Sequence, residues 1–90
     1  MDQELLDLKI QKIHRLPDSK KLKAFVDVSI NDKLLIKGLR VVDGGKGLFV
    51  SMPQELGKNE RWYDRVRCLN KEVQTLVSQK VLEAYKESQD

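Results

Sequence analysis

Ninety residues make one domain's worth of chain, and a domain this short hides only about 60–65% of the surface its unfolded form exposes, so its stability is expected to be marginal or shared with a second copy. With 40% apolar and 34% charged residues of both signs, the composition fits a single soluble core and argues against disorder except at the ends. One cysteine and one histidine leave no internal disulfide and no donor set for zinc, which points to a reducing compartment and no structural metal.

No apolar run nears the roughly 20 residues of a membrane helix. The start, Met1-Asp2-Gln3-Glu4, lacks the basic-then-apolar order of a secretion signal. The expected location is the cytoplasm. Net charge is +3, with nine basic against seven acidic residues in the first half and eight against seven in the second. This balance does not by itself imply a nucleic-acid partner.

Leu6, Leu8 and Ile10 alternate with Asp7 and Lys9, the period of two that marks a strand with one covered face, here about residues 5–14. Leu16-Pro17-Asp18-Ser19-Lys20 supplies turn chemistry. Ala24, Val26, Val28 and Ile30 share the next apolar parity, and Asn31-Asp32 tolerates the left-handed backbone of a tight hairpin, so the second and third strands should be antiparallel neighbours. In the third strand the apolar phase slips from Leu34 and Ile36 to Leu39 and Val41, which predicts a bulge at Gly38.

Asp43-Gly44-Gly45-Lys46-Gly47 is the strongest turn signal. It leads into a short strand, Leu48 to Met52, expected to be largely buried and stopped by Pro53. Phe25, Leu35, Val42 and Phe49 lie on the opposite parity, so a second covered surface is expected, plausibly a dimer contact. Residues 54–60 read as a loop, and Arg61 to Leu69 as extended without a clean period.

Asn70 is a good N-cap with Glu72 in the first turn. A helix over about 71–87 gathers Val73, Leu76, Val77, Val81 and Ala84 on one face, with Tyr85 at its margin and Leu82 on the wet side. The fold class expected is α+β: an antiparallel four-stranded meander followed by a C-terminal α-helix, one domain over residues 1–90 with a core of about 6–87.

Gly44-Gly45-Lys46-Gly47 invites comparison with phosphate loops, but a P-loop joins a strand to a helix and a strand follows here. A hairpin turn is the better reading, with Asp43 as a turn former. His14 has no nucleophile in its sequence context, no carboxylate sits in an apolar setting, and Cys68 beside Arg67 reads as an inert thiol. No catalytic residue is assigned and no small-molecule substrate is expected.

Arg61 to Lys71 holds Arg61, Arg65, Arg67 and Lys71 against the single acid Asp64, around Trp62 and Tyr63. Cations interleaved with aromatic rings can meet phosphates and stack a base. Lys80 falls on the apolar face of the helix by angle, so it must reach outward or meet a partner.

Leu39-Arg40-Val41-Val42-Asp43-Gly44 followed by Gly47-Leu48-Phe49-Val50-Ser51-Met52-Pro53 resembles the stage V sporulation protein G (SpoVG) family. Trp62, Asp64, Leu69-Asn70 and the helix ending Val81-Leu82-Glu83-Ala84-Tyr85 continue the resemblance in register over about residues 6–86. It implies a dimeric regulator of gene expression, cell division or sporulation that binds DNA and RNA without cofactor or catalysis, through basic residues of the loop and helix. The chain departs from the pattern at Gln54-Glu55-Leu56, where the family usually carries Lys-Arg, at Arg67-Cys68 in place of His-Pro, and at Gln74 in place of an arginine.

The expected nucleic-acid-binding residues are Arg40, Arg61, Arg65, Arg67, Lys71 and Lys80 on phosphates, with Trp62 or Tyr63 stacking. The rival expectation is a dimeric protein-interaction adaptor that docks through the apolar second face and Leu82, with the cations only solubilising.

Overall fold

The computed structural model describes residues 6–18 and 20–88. Residue 5 of the first expected strand, Ser19 of the turn after it and the Met1 to Glu4 start lie outside the described residues. Four strands, β1 (Leu8–Arg15), β2 (Leu22–Ile30), β3 (Leu34–Asp43) and β4 (Leu48–Ser51), form one sheet in the order β1-β2-β3-β4, every neighbouring pair antiparallel. A second, two-stranded sheet, β5 (Gln54–Leu56) and β6 (Trp62–Asp64), precedes the helix α1 (Lys71–Glu87). The α+β meander with a C-terminal helix is therefore the observed architecture.

The local chemistry places the turns. Asn31 and Asp32 both stand at φ 55, and the Lys33 amide donates to Ile30 O at 2.9 Å. At the phase slip, Val26 pairs with Leu39 but Val28 with Ile36, so β3 carries one residue more than β2. Gly38, at φ 86, takes up that residue, and its amide donates to Asp27 Oδ1. The bulge keeps Leu39 and Val41 on the face already occupied by Val26 and Ala24, which is how a one-residue slip is absorbed without turning a strand inside out.

That covered face packs on α1. Ala24, Val26, Val28, Leu39 and Val41 from the sheet meet Val77, Val81 and Tyr85 from the helix, with Leu8 completing the buried core. Asn70 caps the helix as expected, its Oδ1 accepting from the Val73 amide at 2.8 Å. The helix is rolled further than its apolar arc alone suggests: Tyr85 is a core residue and Leu82 is half-buried against the core, which corrects the reading of Tyr85 as marginal and Leu82 as wet. Lys80, on the other flank, is turned out to solvent.

Two further expectations are corrected. None of the β4 residues is buried, because β4 is an edge strand, and Phe49 is 49% exposed on the face away from the helix. Residues 54–60 are not all loop: Gln54 pairs with Asp64 and Leu56 with Trp62 around a turn at Gly57 to Glu60. No helix of the described residues is long and apolar enough to cross a membrane.

Candidate nucleic-acid interface

Residues paired across a sheet share a face, so the rows of β1 to β4 define an open face opposite the helix. His14, Phe25, Arg40 and Ser51 form one such row, and Val42 with Phe49 lies in the next. Arg40 is half-buried there. Its guanidinium carbon lies 5.9 Å from the Phe25 ring centroid and 5.4 Å from that of Trp62, which reaches over from β6.

Both rings offer Arg40 their negative faces. Neither supplies an acceptor in line with an N–H. Arg40 Nε is buried without a hydrogen-bond partner among the described residues. A guanidinium brings five donors and no acceptor of its own, and a buried donor left unmade costs about 1–3 kcal/mol. An acceptor from outside the chain would recover it.

The β5–β6 hairpin holds Trp62 in place. The Gly57 amide donates to Arg61 O and the Glu60 amide returns to Gly57 O. Asn59 caps the turn by accepting from the Arg61 amide, while its Nδ2 donates to Tyr63 Oη. Tyr63 lies against Gly57, where a Cβ would stand 2.6 Å from the ring. Tyr63 thus stabilises the turn, while Trp62, its neighbour along the strand, points to the other side and remains 54% exposed.

The remaining cations are disposed unevenly. Arg61 and Lys71 are exposed. Arg65 meets Glu55 at 3.0 Å, and Arg67 meets Asp64 at 2.8 Å while its Nε donates to the same oxygen. The sequence stretch showed only one acid; folding brings Glu55 across the hairpin as a second. The Gln54 amide, and then the Arg67 guanidinium, donate to Asp64 and hold its carboxyl below the usual range.

Both ion pairs are well exposed, and such pairs contribute only about 0–1 kcal/mol, so either arginine is free to exchange its carboxylate for a phosphate. Lys80 is not brought to Arg40. It sits on α1, which covers the other face of the sheet, nine residues and roughly 13 Å along the helix from Lys71.

Two residues named for chemistry settle into structural roles. Asp43 Oδ1 accepts from the Gly45 amide in the β3–β4 turn, and His14 is exposed on β1. Among the described residues, no group of three or more His, Cys, Asp or Glu side chains could hold a metal ion. Arg15 was not foreseen. Its guanidinium carbon stands 4.1 Å over the Tyr85 ring, and Nη1 donates to Tyr85 O and Ser88 Oγ, fastening the end of α1 to β1. The signal available was its parity with Ile13, which puts a cation on the helix-covered face.

A family model described as SpoVG matches residues 3–87. A protein of Archaeoglobus fulgidus named "Putative septation protein SpoVG" is 33% identical over 78 residues, covering 87% of this chain and 92% of its own. One of the same name from Desulforudis audaxviator is 33% identical over 82 residues, covering 91% and 90%. A third, from Symbiobacterium thermophilum, reaches 38% over 74 residues, covering 82% of this chain and 53% of that protein. The edge strand Leu48–Ser51, its glycine turn and the Asn70-capped helix carry the motifs of the resemblance, and with the match over nearly the whole chain they lead to one conclusion: this protein belongs to the SpoVG family.

Proposed function

We propose that the chain is a nucleic-acid-binding regulatory protein, acting on DNA or RNA in gene expression, septation or sporulation, and that it performs no catalysis. The observation that carries this reading is Arg40, a half-buried cation between two aromatic rings with no acceptor for its Nε among the described residues. A polyanion supplies such an acceptor. Arg61 and Lys71 are exposed and make no ion pair among the described residues, Lys71 lies in the first turn of α1 where the helix dipole is positive, and Arg65 and Arg67 can turn their guanidinium groups from weak carboxylate partners to phosphate. Lys80 contributes at longer range from the helix layer. The septation name of the relatives supports a regulatory role in division.

The test is a fluorescence-anisotropy titration of the full chain with short duplex DNA and with single-stranded RNA at two ionic strengths. Saturable binding that weakens with salt is expected. Absence of saturable binding to either at low salt removes the reading.

A second reading, a dimeric protein-interaction adaptor, is favoured by exposed Leu34, Leu35, Leu56 and Leu69. Reversing charge at Arg65 and Arg67 separates the two. It weakens a nucleic-acid complex and leaves a complex seated on apolar surface largely intact. We infer a homodimer in either case, and a monomer mass in light scattering at micromolar concentration contradicts it.

A further inference from the structure

We propose that the open face of the sheet around Arg40, Trp62 and Phe49 takes unpaired nucleobases, so that the protein prefers single-stranded to duplex nucleic acid. This rests on the nucleic-acid-binding reading above and specifies which form of the polymer the site accepts.

Three features of this face converge. The first is ring exposure: Trp62 is 54% and Phe49 49% exposed, large values for rings that belong to a folded sheet and a hairpin packed beside it. Phe49 is paired with Val42, one row from Arg40, and so lies diagonally across β3 and β4 from the guanidinium on the same face. A Cβ at Gly44 would stand 2.9 Å from the Phe49 ring, so the glycine turn backs the ring closely while about half of the residue stays exposed to solvent, at 49%. A ring fixed on one side and wet on the other is a stacking platform.

The second feature is the recession of the cation. Arg40 is rooted in the third strand of a four-stranded sheet, half-buried between Phe25 and Trp62, and it does not project as a finger. A duplex keeps its bases stacked inside and offers a convex backbone, so neither the rings nor a recessed guanidinium can be used fully. A single strand can splay a base onto Trp62 or Phe49 and bring the adjoining phosphate or a base carbonyl down to Arg40.

The third feature is charge. Lys12 stands exposed on the same face, and Lys20 and Lys21 border the hollow beside Phe49. Asp27, the carboxylate in these rows, accepts from the Gly38 amide, and Asp43, which lines the same hollow, accepts from the Gly45 amide; Arg40, Lys12, Lys20 and Lys21 outnumber these two acids. An electropositive aromatic face complements a strand of bases and phosphates.

Trp62 is the chain's only tryptophan, so its emission reports this site directly. The full chain is titrated with short oligo-uridylate, with duplex DNA and with heparin, following tryptophan emission and, separately, anisotropy of the labelled nucleic acids. Single strands should quench Trp62 at saturation, with duplex and heparin having much less effect. Trp62→Ala and Phe49→Ala, checked for native circular dichroism, should each weaken single-strand affinity about 5- to 150-fold and duplex affinity far less.

Anisotropy showing single-strand binding while Trp62 emission stays constant overturns the proposal and leaves the nucleic-acid reading standing. So does an equal loss for duplex and single strand in the two variants, or a dimer that Phe49→Ala dissociates with single-strand affinity unchanged. Failure of every nucleic acid to bind removes the underlying reading itself.

Discussion

Arg15 holds Tyr85 by two different atoms at once: its guanidinium lies 4.1 Å above the phenol ring while Nη1 donates to the same residue's backbone carbonyl at 2.9 Å. The last turn of α1 is thereby fixed to the end of β1, across 70 residues of sequence. Ser88, which ends the helix, shares the same nitrogen and also donates back to Tyr85 O.

Replacing Arg15 by alanine should therefore destabilise the domain by about 1.5–3 kcal/mol, the range for hydrogen bonds to charged groups. The urea midpoint should fall with little change in slope. Hydrogen exchange should quicken first in the last turn of α1, before the amides of β2 and β3.

Leu39 and Val81 are fully buried where sheet and helix meet. Leu39→Ala should cost about 2–5 kcal/mol, which endangers folding in a domain of this size. Leu69→Ala is the control: at 94% exposed, its effect should stay within about 0.5 kcal/mol in the same denaturation assay.

Gly38 carries the β3 bulge at φ 86, yet a Cβ built there meets nothing within 4 Å. Gly38→Ala should thus show backbone strain alone, about 1–2 kcal/mol, and retain the sheet by circular dichroism. Gly57→Ala adds a clash with the Tyr63 ring. It should loosen the β5–β6 hairpin and alter the emission of neighbouring Trp62 while β1 to β4 remain intact.

The Asp64 carboxyl is held below its ordinary value of 3.8 by Gln54 and then Arg67. A group whose pKa is depressed on folding adds stability that is present above the unfolded value and lost as pH falls through the folded value. The hairpin should consequently keep its contacts through the ordinary carboxylate range and release them only below it. A carboxyl titration by NMR should place the Asp64 midpoint under 3.8, and Gln54→Ala should move it upward.

Much of the fold is legible in the sequence because its long elements carry clear periods. The alternation through Ala24 to Ile30, the slip at Gly38 and the Asn70 cap each encode one local event, and each is where the residues say it should be. The β5–β6 hairpin is not legible. Its strands are three residues long, too short to show a period, and their pairing depends on a turn in which Glu60 stands at φ 64.

The roll of α1 is hidden for a different reason. Helical angles place Tyr85, Leu82 and Lys80 relative to one another, but the absolute orientation follows from packing on the sheet core and from the fastening of the last turn by Arg15, contacts distant in sequence. The candidate interface was partly legible. Arg40 and Trp62 stand out as residues, whereas their stacking, and the arrival of Glu55 beside Arg65, follow from a strand pairing that the sequence does not display.

Phosphate contacts from about four cations, Arg40, Arg61, Lys71 and one of Arg65 and Arg67, imply a salt slope of about −2.8 for single strands. Raising salt fourfold should then lower affinity roughly 50-fold. Lys80→Ala, on the far layer, should barely change that slope.

The most direct measurement follows the Nε–H resonance of Arg40 by NMR as single-stranded RNA is added to the full chain. The account predicts a saturable shift of that resonance with the midpoint found by anisotropy, because the nucleic acid gives the guanidinium the acceptor the chain withholds. A resonance that stays in place while the RNA is fully bound would contradict it.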